Sequence, residues 1–295
     1  MTINQRNQLA FFSANLHQYM PDLPWAEHHR YFRQYQLYHQ PKPIPAVSKS
    51  TVNGCYPNEP GILATFHLGN HTQLPIALVD ADLVFDILID QPTYDRYRER
   101  FDLANQLLVS KGKEPIKFLL SEDRHLFFKV KDSIGRGRHL LIFADGNAGQ
   151  DHADYRRDLL PIPFFSGTLW VKKGIPILSR LLGIPIYPLY SMASGPDQTL
   201  EFGEPIFTDL RSNRLSDAAR VLGDLYHLLN LRIAHDPMQW ECWLYLHRNG
   251  MLKIADQEID HPRKPDLNAE YIDTVRLGRE VFWFDKKKYY LFRSV

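Results

Sequence analysis

GILATFHLGNHTQLPIALVDADLVFDILID, residues 61–90, carries two short apolar runs with a helical pattern between them. Gly61–Gly69 (GILATFHLG) reads as a buried strand, Asn70–Val79 as the helix that follows, and Leu83–Asp90 (LVFDILID) as a second strand. The same alternation continues outward. Tyr94–Lys111 sets Phe101, Ala104, Leu107 and Leu108 among many charges, the pattern of an amphipathic helix. Ile116–Leu120 reads as a strand, Asp123–Ile134 as a short helix, and His139–Asp145 (HLLIFAD) as a fourth strand. Further on, Gly167–Leu182 reads as helix, Ile184–Tyr190 and Leu200–Phe207 as strands, and Leu215–His235 as a Leu-rich helix. Strands that alternate with helices predict an α/β fold, with a mainly parallel central sheet and helices on both faces.

Two flanks differ from this core. Residues 1–50 read as a helical segment with a proline-rich exit, PKPIPAV. Residues 251–295 end in Glu280–Arg293 (EVFWFDKKKYYLFR), a small hairpin turning at DKKK. The expected organisation is an N-terminal helical segment (1–50), an α/β domain (51–250) and a C-terminal hairpin appendage (251–295).

Composition narrows the function classes. With 35 basic and 34 acidic residues among 295, the formal charge is +1, so no global field draws the chain to nucleic acid, and no nucleic-acid partner is expected. Cys55 and Cys242 build no disulfide framework and belong to no metal-ligand spacing, which fits a reducing, cytoplasmic setting. The opening stretch does not read as a signal peptide, and no apolar run approaches the roughly 20 residues of a membrane-spanning helix. The Gly146–Gly149 stretch lacks the Gly-Lys-Ser/Thr ending of a phosphate-binding loop, and no Gly-x-Ser-x-Gly elbow occurs.

In open α/β sheets ligands bind beyond the carboxyl ends of the strands. That rule selects HLGNHT after the first strand and ADGNAGQD after the fourth. An imidazole at the first place, His67, suits a general base, because its pKa lies near working pH. Gly69 allows close approach, and a helix beginning near Asn70 would aim N–H groups into the same space. Asp145, Gly146 and Asn147 also suit a tight turn. Arg156 and Arg157 lie on the loop beyond Asp145, where they could meet an anionic group, whereas Arg136 and Arg138 precede the strand and read as a solvated corner. Phe164 and Phe165 read either as core or as the lining of a substrate channel. His71 stands one helical turn from His67, but no third ligand is evident, so no metal is expected.

HLGNHT resembles the His-x-x-x-x-Asp/Glu block of the lysophospholipid acyltransferase (LPLAT) superfamily, in the His-Phe-Gly-Asn-Trp-Glu form of the bacterial lipid A late acyltransferases. LIFADG (141–146) resembles the block in which an acid and a glycine follow a strand. PIPFFSGTLWVKKGIPILSRLLGIPIYPLYS (161–191) resembles the Val-Pro-Phe-Phe-Gly segment with its helix and strand. HDPMQWECWLYLHR (235–248) resembles the closing Pro-x-Gln-Trp signature. The four blocks lie in order over about 190 residues.

The resemblance implies an acyltransferase that holds no bound cofactor and takes its acyl or aminoacyl group from a phosphopantetheine-linked thioester, on a carrier protein or coenzyme A. A histidine base would activate a hydroxyl or amine acceptor, either lipid A-like and met at a membrane surface or soluble. His67 and Asp145 become the candidate catalytic residues. Gly69, Asn70, Thr72, Gly146, Asn147, Asp151, Arg156, Arg157, Phe164 and Phe165 become the candidate substrate-binding residues. The chain departs from the family pattern at Thr72, where an acid belongs. Asp145 or Asp151 could supply that acid, an amine acceptor could need less help, or the chain could be an inactive binding or scaffold protein.

Overall fold

Ile62–Thr65 and His139–Phe143, two of the most apolar runs in the chain, lie side by side in the middle of a seven-stranded sheet. The computed structural model describes residues 2–40, 50–69, 71–146, 159–194, 197–248, 252–254 and 266–293. Its elements begin with α1 (Ile3–Tyr19), α2 (Trp25–Tyr38), β1 (Ser50–Gly54) and β2 (Ile62–Thr65). A 3-10 turn (His71–Gln73) leads to α3 (Leu74–Asp80), β3 (Phe85–Ile89), α4 (Gln91–Ser110), β4 (Phe118–Leu120), α5 (Leu126–Gly135) and β5 (His139–Phe143). Next come β6 (Leu159–Phe164), β7 (Gly167–Lys172), α6 (Gly174–Leu182), β8 (Ile186–Ser194), β9 (Asp197–Phe202) and α7 (Arg214–Ile233). Short 3-10 segments between 237 and 248 precede β10 (Lys253–Ile254), β11 (Ile272–Leu277), β12 (Glu280–Asp285) and β13 (Tyr290–Arg293). Among the described residues no helix is long and apolar enough to cross a membrane.

The chain divides into two compact units. Pro41–Ala148 with Lys172–Leu229 holds the large sheet, in the order β1-β9-β8-β2-β5-β3-β4. β8, β2, β5, β3 and β4 are mutually parallel, while β9 pairs antiparallel to β8 and carries β1 parallel to itself. Alternate residues show why the central strands are apolar throughout. Leu63, Leu141 and Tyr187 share one face and one core with α3 and α4 side chains such as Leu78 and Phe101. Ile62, Leu140 and Ile186 point to the other face and are equally buried. A strand covered on both faces has no polar side to alternate with.

Helix starts follow local chemistry. Asp90 caps α4 by accepting from the amide of Thr93 at 2.7 Å, with Pro92 in the first turn, so this helix begins three residues before the expected Tyr94. α3 begins later than expected: Pro75 sits in its first turn, and the chain between His71 and Gln73 forms a tighter 3-10 turn. The expected helix over Gly167–Leu182 is a strand, β7, followed by α6 from Gly174. Thr168, Trp170 and Val171 favour a pleated surface, and Pro176 favours a helix's first turn.

Arg138 is not a solvated corner. At the amino edge of the sheet its side chain is 3% exposed and pairs at 2.8 Å with Asp86, itself 0% exposed. Its guanidinium also donates to the carbonyls of Phe85 and Pro115, while Asp86 accepts from Ser133 Oγ and the amide of Lys117. Nearly every polar atom of this pair meets a protein partner in place of the water that burial removes.

Met1–Gln40, Gly149–Val171 and Asn230–Val295 form the second unit, so the two flanks share one unit rather than forming separate end segments. The expected hairpin is present as β12 and β13, and it belongs to a four-stranded sheet, β10-β13-β12-β11. Ala10, Phe11 and Ala14 of α1 pack into one core with Val275, Phe282, Phe284 and Leu291. Asn7 exchanges two hydrogen bonds with the backbone of Arg276 on β11, satisfying part of an edge strand. Trp240 and Trp243, both 0% exposed, pack with Tyr19 and Phe164 of this unit.

Two stability predictions follow from the sheet unit. Arg138→Met leaves the Asp86 carboxylate buried without its partner and lowers unfolding free energy by about 3–5 kcal/mol, measured by urea denaturation at pH 7. Asp86→Asn in the same background recovers part of that loss. His139 is held at a pKa of about 4 by burial, with its Nδ1 accepting from the amide of Gly61 at 3.3 Å. The native state therefore binds fewer protons than the unfolded chain between about pH 6.5 and about 4. Stability is intact above that window and declines as pH falls through it, by up to about 1.4 kcal/mol per pH unit for one such histidine. His139→Asn flattens this decline; an unchanged slope refutes the assignment.

Candidate active site

Parallel register builds the site. Thr65, the last residue of β2, lies opposite Phe143, the last of β5. Two residues further on each chain, past the ends of both strands, come His67 and Asp145. The carboxylate holds the histidine at two points. Asp145 Oδ2 accepts from the backbone amide of His67 at 2.9 Å, and Oδ1 lies 2.8 Å from Nδ1 of the ring. Their side chains are 3% and 26% exposed respectively, so the acid is enclosed and the base reaches solvent.

This geometry sets the tautomer. An ionised carboxylate can only accept, so a neutral His67 ring carries its proton on Nδ1 and its lone pair on Nε2. If Nε2 takes up a proton, the adjacent carboxylate stabilises the imidazolium. The ring is also fixed sideways: Phe143 lies 4.5 Å away between ring centroids, and His71 meets it edge-on at 5.0 Å. Both neighbours were missed as ring contacts in the sequence. The signal for Phe143 lies in its spacing, two residues before Asp145 on the same strand face.

Backbone shape at the end of β2 is equally specific. Leu68 N donates to Phe66 O at 2.7 Å, a three-residue turn, and Gly69 adopts φ +61, a left-handed conformation that favours glycine. The 3-10 turn then carries His71, buried, and Thr72, half-buried. Across from it Gly146 is half-buried, its amide donating to Phe143 O at 3.3 Å. The expected helical N–H groups from position 70 onward are replaced by this turn, and α3 itself starts at Leu74.

The structure thus brings His67 and Asp145 together, with Gly69, Thr72 and Gly146 on the adjoining turns of the same unit. Asn70, Asn147, Asp151, Arg156 and Arg157 lie outside the described residues. Phe164 and Phe165 belong to the second unit. Phe164 is 0% exposed, with the rings of Tyr19, Trp240 and Trp243 around it. Phe165 is half-buried beside it, with φ +46.

The connectivity is also informative at this place. The chain leaves β2 toward β3 on one side and resumes after β5 at β8 on the other. Adjacent parallel strands whose connections run in opposite directions along the sheet mark the switch point at which ligands of open α/β sheets bind. Comparison with protein-family models and with curated proteins returns no match.

Proposed function

We propose that the chain is a thioester-dependent acyltransferase, with His67 as general base and Asp145 as the carboxylate that orients it. The observation that carries this reading is the two-point grip of Asp145 on His67 at the carboxyl edge of the sheet. It supplies the acid that position 72 lacks, and it fits the resemblance of four sequence blocks to the LPLAT superfamily.

In this mechanism His67 Nε2 takes the proton of an acceptor hydroxyl or amine as that group attacks the thioester carbonyl. A C–O or C–N bond forms and the carbonyl oxygen becomes an oxyanion. Collapse of the tetrahedral intermediate breaks the C–S bond, and the departing thiolate receives the proton from Nε2. The products are an ester or amide and a free thiol, so no external redox partner is needed. Asp145 keeps the proton on Nδ1 before the reaction and balances the imidazolium during it. The donor is a carrier-protein or coenzyme A thioester carrying a fatty or aminoacyl group. The acceptor is a lipid A-like glycolipid at the inner membrane surface or a soluble amine.

The test is thiol release from a panel of acyl- and aminoacyl-carrier proteins and coenzyme A esters, with lipid and amine acceptors present. His67→Ala is expected to abolish turnover, and Asp145→Asn to lower kcat by about 100- to 10,000-fold. Thr72→Glu leaves the rate close to wild type, because the orienting position beside Nδ1 is already filled. Equal turnover by wild type and His67→Ala sinks the histidine-base mechanism. Carrier binding by a wild type that turns over no donor favours a binding or scaffold protein instead. A large gain in Thr72→Glu shows that the missing acid, not Asp145, limits the site.

A further inference from the structure

Tyr226 touches the residue before each member of the His67–Asp145 pair. It lies on α7 and is 1% exposed. Its hydroxyl donates to the carbonyl of Ala144 at 3.1 Å, and its ring meets that of Phe66 edge-on at 5.1 Å. Ala144 and Phe66 precede Asp145 and His67 directly.

The ladder explains why those two points need a brace. Ala144 N donates to Thr65 O at 2.7 Å, the rung that closes the pairing of the two strands as they run out. Past that rung the strands lose their mutual support, while the pair depends on where the next peptide planes point. A buried strand-end carbonyl also needs a donor. Tyr226 supplies that donor and, on the same side chain, a flat surface for Phe66. Phe66 is clamped from the other direction by Tyr190 of β8, stacked at 6.0 Å and 11°. Phe66 is thus held between two rings immediately before His67 in the chain.

We infer that Tyr226 is a positioning residue: its hydroxyl sets the Ala144–Asp145 peptide, and through it the carboxylate that holds the Nδ1 proton of His67. It touches no reacting atom in this scheme. Its kinetic consequence rests on the acyltransferase reading, whereas its effect on the imidazole does not.

The test is Tyr226→Phe in the full chain, which removes one oxygen and keeps the ring against Phe66. Nitrogen-15 spectra of the histidines, with His67 assigned by its loss in His67→Ala, report tautomer and titration midpoint. Wild type is expected to show His67 as the Nδ1–H tautomer. In Tyr226→Phe the Nδ1–H signal weakens, Nε2–H appears, and the midpoint moves. Val130→Ala, a buried truncation on α5, serves as a destabilised control and leaves the His67 signals in place. Where the acyl-transfer assay is active, kcat of Tyr226→Phe falls about 10- to 100-fold with KM little changed. His67 signals identical to wild type in Tyr226→Phe overturn the inference whether or not turnover is seen. Altered His67 signals with no turnover in any protein uphold it and count against the acyltransferase reading alone.

Discussion

Everything at the site depends on the parallel register of β2 and β5. The strands are locked residue by residue from Ile62↔Leu140 to Thr65↔Phe143, and the same offset of 78 residues recurs in both hydrogen bonds between His67 and Asp145. A slip of one residue would turn one of the two side chains to the opposite face. What prevents the slip is burial: both faces of these strands are covered, so any other register would break the packing of Ile62, Leu63, Leu140 and Leu141 against the layers on either side. The hydrophobic core is thus the device that aims the carboxylate. Site geometry and core packing are one constraint seen from two ends of the same strands.

The two edges of the sheet handle charge in opposite ways. At the amino edge, Asp86 and Arg138 are both buried and nearly every polar atom has a protein partner, which leaves no chemistry to do. At the carboxyl edge, only the acid is enclosed, and the imidazole it holds reaches solvent. A fully satisfied pair stabilises by staying shut. A pair with one member open to solvent can change protonation when something arrives. The contrast argues that the second pair is more than another structural contact.

Much of this was legible in the sequence, and what was not has physical reasons. The strands β2, β3 and β5 announced themselves as uninterrupted apolar runs, because strands buried on both faces carry no competing signal. His67 and Asp145 were visible separately, each just past the end of such a run. Their pairing stood there as one of two alternatives, Asp145 or Asp151, because choosing between them requires β5 to insert between β2 and β3, and no local pattern records strand order. Arg138 looked solvated because GRGRH is locally charged, while its partner lies 52 residues away. β7 was hidden because Gly167–Leu182 places apolar residues where either a helix or a strand would, and only the β-branched and aromatic residues of its first half distinguish them. Phe164 had two open readings from its residue type, since an aromatic ring suits a core and a substrate channel equally.

The displaced acid has a consequence for rigidity. A carboxylate at position 72 would sit on the 3-10 turn His71–Gln73 rather than at the end of a neighbouring strand. Asp145 instead rides on the neighbouring strand, and its two bonds reach both the backbone and the ring of the residue it orients. Rotation of either group then strains a backbone contact as well as a side-chain one. A neutral hydroxyl at position 72 adds no second negative charge beside that of Asp145. Two carboxylates at one imidazole would raise the proton affinity of the ring and of each other. Asp145, at the end of the strand beside β2, is the carboxylate that meets the His67 ring, and Thr72 on the following turn brings no charge of its own.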